Sequence, residues 1–412
     1  MERGWIGLAA LLLLAWACSE KRREVDWKRC AVGVGLQVAL ALVCVRVPLV
    51  QRFFLSINSV VEALGEATRA GTSFIFGYLG GGPLPFDTSN PGQTFILAFQ
   101  ALPLVLVVSA LSSLLFYWRI LPVVVKACSW VLEKAMGVGG ALGLATAANV
   151  FVGMVEAPLF VRPYLHKMIR SELFAVMTGG MATVAGTVMV LYASILNSVV
   201  DHALGHILVA SLVSAPAALV VARIMIPEGA ERTGGDLVAP NEATSAMDAV
   251  TEGTREGINL LLNIVAMLIV LLALVHLVNL GLGALPLVGG EALSLERILG
   301  WLMGPVVWLM GVPWEESGTA GMLMGTKTVL NELIAYVELS KLPPGTFSEK
   351  SRVIMLYAMC GFANLGSVGI MLGGLCGMAP NRRAEIVSLG GKSLVAGTIA
   401  TCMTGAIIGI IW

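Results

Sequence analysis

Apolar residues run in long blocks through most of this chain, with polar and charged residues gathered between them. Blocks near the roughly 20 residues that cross a bilayer as a helix fall at about 4–17, 30–50, 94–118, 172–198, 203–226, 258–284, 353–375 and 391–412. They predict an all-α polytopic membrane protein with about eight spans. Two further apolar stretches, about 139–161 and 312–338, are interrupted by Gly, Pro and acidic residues and read as re-entrant hairpins. Non-helical backbone at membrane depth is tolerated only where protein or a watery cavity satisfies it, so both hairpins are expected to line something.

Composition agrees with the pattern. Hydrophobic residues make up 57% and charged residues 13% of the 412, against about 25% charged in an average soluble domain. The formal net charge is zero, which argues for neither a nucleic-acid partner nor a polybasic membrane patch. The seven cysteines lie mostly in apolar blocks without metal or disulfide spacing and read as packing residues.

Positive charge orients the chain. Lys21, Arg22, Arg23, Lys28 and Arg29 follow the first apolar block, which argues against a cleaved signal peptide and places that end in the cytoplasm. With an outside N-terminus, the same topology puts Arg119, Lys126, Lys134, Arg162, Lys167, Arg170, Arg382, Arg383 and Lys392 inside. Lys341, Lys350 and Arg352 fall outside, as exceptions.

A polar stretch at 228–256 divides two halves of similar layout: an amphipathic approach segment, a broken hairpin with a glutamate, then a span with small and polar residues. The first hairpin enters from the cytoplasm and the second from outside. Opposed halves of this kind mark an inverted repeat whose discontinuous helices bind substrate near the midplane. The expected division is 1–120 mainly scaffold helices, 121–226 a first transport repeat, 227–256 a cytoplasmic loop, 257–290 a scaffold span and 291–412 a second transport repeat.

An ionisable residue at membrane depth is costly and usually marks a substrate or ion path. Glu156 is such a residue, with Asn149 seven positions earlier, a spacing of two helical turns. Thr183 and Thr187 stand four apart among glycines that let a helix unwind and free carbonyl oxygens; with Asn149 they offer the hard oxygen shell a small cation prefers. Lys327 precedes Glu332 by five and could pair with it. Asn364 and Ser367 share a helix face, with Phe362 beside them as packing or a stacking wall. His202 and His206 read as a solvated interfacial pair without further ligands. Hydrolase, zincin and Walker signatures are absent from the sequence, so an enzyme is not expected.

Asn149-Val150-Phe151-Val152-Gly153 followed by Glu156-Ala157-Pro158 resembles the first-hairpin motif of the concentrative nucleoside transporters. Gly311-Val312-Pro313-Trp314, Asn331-Glu332 and Cys360-Gly361-Phe362-Ala363-Asn364 resemble that family's second-hairpin and seventh-span signatures. The resemblance implies a homotrimer in the cell (inner) membrane, each protomer with a scaffold and an elevator-like transport domain. It implies sodium-driven nucleoside uptake, with some members using protons. Carried over by position, the sodium site is Asn149, Val152, Thr183 and Val184. Glu332, Asn364 and Ser367 hold the ribose, and Gly153, Met154, Val155, Glu156, Val188 and Phe362 meet the base. Met154 and Val155 depart from the family's Gln and Thr, which leaves the sugar and cation ends intact and weakens base selectivity. Proton coupling through Glu156 or Glu332 is the alternative, and a receptor or channel on the same fold a more distant one.

Overall fold

A computed structural model describes residues 2–86, 95–227, 233–234, 243–290 and 292–412. Every regular element among them is a helix. In chain order these are α1 Glu2–Ala17, α2 Trp27–Arg46, α3 Pro48–Phe76, α4 Leu97–Gln100, α5 Leu104–Tyr117, α6 Ile120–Met136, α7 Gly140–Asn149, α8 Glu156–Leu159, α9 Arg162–Leu165 and α10 Arg170–Ala182. The second half adds α11 Gly186–Leu196, α12 Ala203–Met225, α13 Ala246–Gly283, α14 Leu295–Leu309, α15 Trp314–Val329, α16 Glu332–Lys341, α17 Glu349–Met359, α18 Leu365–Met378 and α19 Arg383–Ile411.

The hydrophobic blocks translate into helices with boundaries set by caps and prolines. Asp26 accepts the N–H groups of Lys28 and Arg29 and opens α2. Val47, held extended by the following Pro48, ends it, three residues before the block's apparent end near 50. The polar stretch expected as loop through 256 becomes helix from Ala246, because Ser245 caps the Asp248 N–H at 3.1 Å and Glu252 pairs with Arg255 one turn on. Most of the expected loop, 228–232 and 235–242, lies outside the described residues; Thr233 itself donates its N–H and hydroxyl to Glu172 at 2.8 and 2.6 Å.

Two blocks counted as spans are broken, the first at the stretch where the glycines are expected to let the helix unwind. The block at 172–198 is α10 and α11, parted at Thr183 to Ala185; the block at 353–375 is α17 and α18, parted at Cys360 to Asn364. The breaks satisfy each other: the Phe362 N–H donates to the Thr183 carbonyl at 3.2 Å. Buried backbone that leaves a helix needs such a partner. Gly361 makes the crossing possible, since a Cβ there would lie 2.7 Å from Thr401 Cγ2 and 3.0 Å from the carbonyl oxygens of Met181 and Ala182.

Among the described residues, six helical stretches are long and apolar enough to cross a membrane, and α1 and α18 are shorter apolar helices. α10, α12 and α19 form the buried heart, packed on one another. α1 and α2 pack against α12 and α19. α5 and α13 pack against each other, and α13 presents Leu262, Ile269, Leu277 and Leu280 outward, each at least 60% exposed. That side of α13 is apolar, as a surface against lipid or another chain must be.

Candidate substrate and cation sites

Four helix interruptions meet at one cavity. They are the two hairpin tips, between α7 and α8 and between α15 and α16, and the breaks in α10/α11 and α17/α18. The cavity holds about 150 Å³, room for a small organic molecule and not just a few waters. All nine residues assigned to substrate from the sequence line it: Gly153, Met154, Val155, Glu156, Val188, Glu332, Phe362, Asn364 and Ser367.

One end is a pre-arranged hydrogen-bond cluster. Asn331 caps α16 by accepting the Ile334 N–H at 3.0 Å, which sets Glu332 at the helix start. Asn364 caps α18 through its Oδ1, accepting the Ser367 N–H at 2.7 Å, and its Nδ2 donates to Glu332 Oε2 at 2.9 Å. The two bonds together fix the amide orientation. Tyr192 from α11 donates to Glu332 Oε1 at 2.6 Å. Glu332, Asn364 and Ser367 are all buried, so two half-helix N-termini and a carboxylate face the same small space.

The other end is built on the first hairpin. Gly153 has φ 155°, and a Cβ there would lie 2.4 Å from Glu156 Oε2, so only glycine lets the tip fold over the carboxylate. Glu156 opens α8 with its side chain exposed toward the cavity. Met154 is buried against α10 at Gly180, and Val155 packs on α18 at Gly374. Both fill space at positions where the family pattern places hydrogen-bonding groups.

The four residues assigned to a cation lie beside this cavity rather than in its wall. Asn149 is the last residue of α7 and fully buried, and among the described residues neither its Oδ1 nor its Nδ2 has a hydrogen-bond partner. Thr183 donates its hydroxyl to the carbonyl oxygens of Gly179, at 2.9 Å, and Asn149, at 3.3 Å, bringing the end of α10 onto the end of α7. Val184 is buried with its N–H on Ser211 Oγ at 3.3 Å, and Val152 is half-buried in the turn after α7.

Several spacings read on the sequence as helical are not. Asn149 and Glu156 belong to different helices, since α7 ends at one and α8 begins at the other. Thr183 and Thr187 are parted by the α10/α11 break, so Thr183 turns to Asn149 and Thr187 to the cavity. No ion pair joins Lys327 to Glu332 among the described residues; the Lys327 ammonium donates to Thr401 Oγ1 at 3.3 Å. His206 is not a solvated partner of His202 but is paired through Nδ1 with the Tyr357 hydroxyl at 3.1 Å. The sequence reading missed Tyr192, Asn331 and the α13 stripe Leu260, Asn263, Ile264, Met267 and Leu271 as cavity residues. The 3–4 residue periodicity of that stripe was its only signal.

Comparisons with known proteins bear on this arrangement. The chain matches the families described as "Na+ dependent nucleoside transporter N-terminus" over residues 6–79, "Nucleoside recognition" over 98–199 and "Na+ dependent nucleoside transporter C-terminus" over 206–409. It is 36% identical to the uncharacterized transporter YutK of Bacillus subtilis, covering 99% of this chain and 98% of that protein. It is 35% identical to the nucleoside permease NupC of Helicobacter pylori, covering 98% and 96%. Against sodium/nucleoside cotransporter 1 of Sus scrofa it is 33% identical over 98% of this chain and 63% of that protein. Its fold superposes on the structure of CNTnw in an inward-facing substrate-bound state with a TM-score of 0.88, at 36% identity over 99% of this chain and 97% of that one. Matches that run through nearly the whole length, at this identity, establish that the chain belongs to the concentrative nucleoside transporter family, a family of membrane transporters and not of enzymes.

Proposed function

We propose that this protein imports nucleosides by sodium-driven symport with alternating access. The observation that carries the reading is the Tyr192–Glu332–Asn364 cluster at two half-helix N-termini, a carboxylate already oriented to accept hydrogen bonds from adjacent sugar hydroxyls. Glu332, Asn364 and Ser367 hold the ribose. Gly153, Glu156, Val188 and Phe362 meet the base, with Met154 and Val155 as an apolar backing.

Sodium would be held by Asn149 Oδ1, the Thr183 hydroxyl and the carbonyls of Val152 and Val184. The fit rests on Asn149: a buried amide without partners costs about 1–3 kcal/mol, which coordination of a cation recovers. Thr183 spends its proton on carbonyl oxygens, leaving its lone pairs available to a cation.

The moving body would comprise the hairpins with α10–α12 and α17–α19, together with α1 and α2, which pack on α12 and α19. The scaffold would be α3, α5 and α13, with the apolar outer side of α13 supporting a homotrimer in the cell inner membrane. A second reading, proton coupling, is favoured by Glu156, whose carboxylate opens to the cavity and has no ion pair among the described residues. Uptake into proteoliposomes under imposed sodium or proton gradients decides between them. Accumulation that follows the proton gradient and ignores sodium would rule out the first reading, and absence of counterflow exchange would rule out a carrier.

A further inference from the structure

Lys327 is the feature of the transport domain that neither the sugar end nor the cation end uses. It sits near the end of α15 with no exposed surface. Its ammonium has three N–H donors and, among the described residues, one hydrogen-bond partner, the Thr401 hydroxyl of α19. That hydroxyl is neutral and itself donates to the Thr398 carbonyl at 3.1 Å. An ammonium enclosed in protein at membrane depth requires a compensating charge. Glu332 lies just across the hairpin tip: Lys327 is in the last turn of α15 and Glu332 is the first residue of α16, with only Leu330 and Asn331 between the two helices, and Glu332 is also buried.

The two charges do not touch. Glu332 has both oxygens occupied by donors from other elements, Tyr192 on Oε1 and Asn364 on Oε2. Asn364 must turn its Nδ2, a donor only, toward Glu332, since its Oδ1 is taken by the Ser367 N–H. A carboxylate that accepts on both oxygens is arranged as an anion. With no direct bridge to Lys327, each oxygen keeps its second lone pair for a ligand hydroxyl.

We propose that Lys327 is the resident counter-charge of Glu332: held at a distance, it keeps the sugar-binding carboxylate ionised without a contact that would compete with substrate hydroxyls. Lys327 is thus a positioning residue, acting through Glu332. The sugar-binding part of the inference rests on the nucleoside reading given above, whereas the charge coupling does not.

Two measurements test it. The first is a stability cycle on the purified full-length protein without substrate. Glu332→Gln lowers the melting temperature in the wild-type background, because it strands the ammonium. In the Lys327→Met background the same change raises it, because it removes a stranded carboxylate. Equal, additive losses in both backgrounds overturn the proposal. If Lys327→Met alone yields no folded protein, recovery of folded protein in the double variant is the expected result, and its failure counts against the inference equally.

The second is the ratio of uptake KM values for a ribonucleoside and its 2′,3′-dideoxy analogue. Lys327→Met reduces this discrimination by about tenfold, the order expected when hydrogen bonds to a charged acceptor become bonds to a neutral one, and Lys327→Arg preserves it. Unchanged discrimination in a folded Lys327→Met protein refutes the coupling. If the wild type shows no discrimination at all, the nucleoside reading fails while the stability cycle still stands on its own.

Discussion

Tyr192 and Glu332 are 140 residues apart in the chain and 2.6 Å apart in the fold. The phenol, buried in α11, orients a carboxylate on α16 and so ties the first half of the chain to the second at the end of the cavity proposed to hold the sugar. A hydrogen bond to a charged group is worth about 1.5–3 kcal/mol. Tyr192→Phe should therefore raise the nucleoside KM by about tenfold or more, with the sodium dependence unchanged. Uptake kinetics at saturating sodium check this, and an unaltered KM would remove Tyr192 from the site.

Asn149 is buried with its amide unpaired. Asn149→Ala should leave the melting temperature in sodium-free buffer within a few degrees of the wild type, since no protein hydrogen bond is lost. The stabilisation that added sodium confers on the wild type by mass action should vanish in the variant. A thermal-shift titration with sodium, using a large organic cation to hold ionic strength, reads both effects.

Met154 and Val155 put apolar side chains where the family pattern has a Gln and a Thr. A site that hydrogen-bonds its ligand discriminates by factors that reach about ten-thousandfold, and an apolar wall discriminates weakly. Ribose recognition should persist in the wild type while preference for pyrimidines is reduced or shifted. The Met154→Gln and Val155→Thr double variant should restore pyrimidine preference. Competition of uptake by a panel of nucleosides and free bases measures it, and transport of bases with no requirement for a sugar would overturn the assignment.

Gly361 lies where the two broken helices cross, and a Cβ there would press on the carbonyl oxygens of Met181 and Ala182. Gly361→Ala should cost about 1–3 kcal/mol through overpacking and loosen the Phe362–Thr183 backbone bond. A lower melting temperature together with weaker sodium stabilisation is expected, because Thr183 is among the residues proposed to hold sodium. A change in neither would mean that the crossing relaxes freely.

Glu20, in the loop after α1, accepts hydrogen bonds from Arg170 at the head of α10 and from Lys392 of α19. The Arg170 hydrogen bond, aided by Lys392, holds its carboxyl down from the usual 4.5 to about 2. A depressed carboxylate stabilises the fold above its unfolded value and loses that contribution as pH falls. The loss should run from about pH 4.5 to about pH 2. Melting temperatures across that window should fall more steeply for the wild type than for Glu20→Gln, and parallel curves would contradict the network's contribution.

Much of the candidate site could be read from the chain because its signals are local. A carboxylate and an amide beside glycine and proline in an apolar stretch have few explanations, so Asn149, Glu156, Glu332 and Asn364 stand out without any contact information. Met154 and Val155 were legible in the same way, as departures within a short motif. Tyr192 was not, since a single tyrosine in an apolar block carries no mark of the partner its hydroxyl will find.

The sequence by itself determined the blocks that partition into lipid, the places where those blocks break into hairpins, and the polar residues that lipid would not tolerate unpaired. These follow from transfer energies that each residue carries wherever it stands. Only the tertiary structure decided that the block at 353–375 is an interrupted helix, that Thr183 and Thr187 face different sites, that α1 and α2 pack on α12 and α19, and that Lys327 bonds Thr401 and not Glu332. Each of these turns on a hydrogen bond or close backbone approach between distant segments. Spacing along one helix says nothing about such partners once the helix has ended.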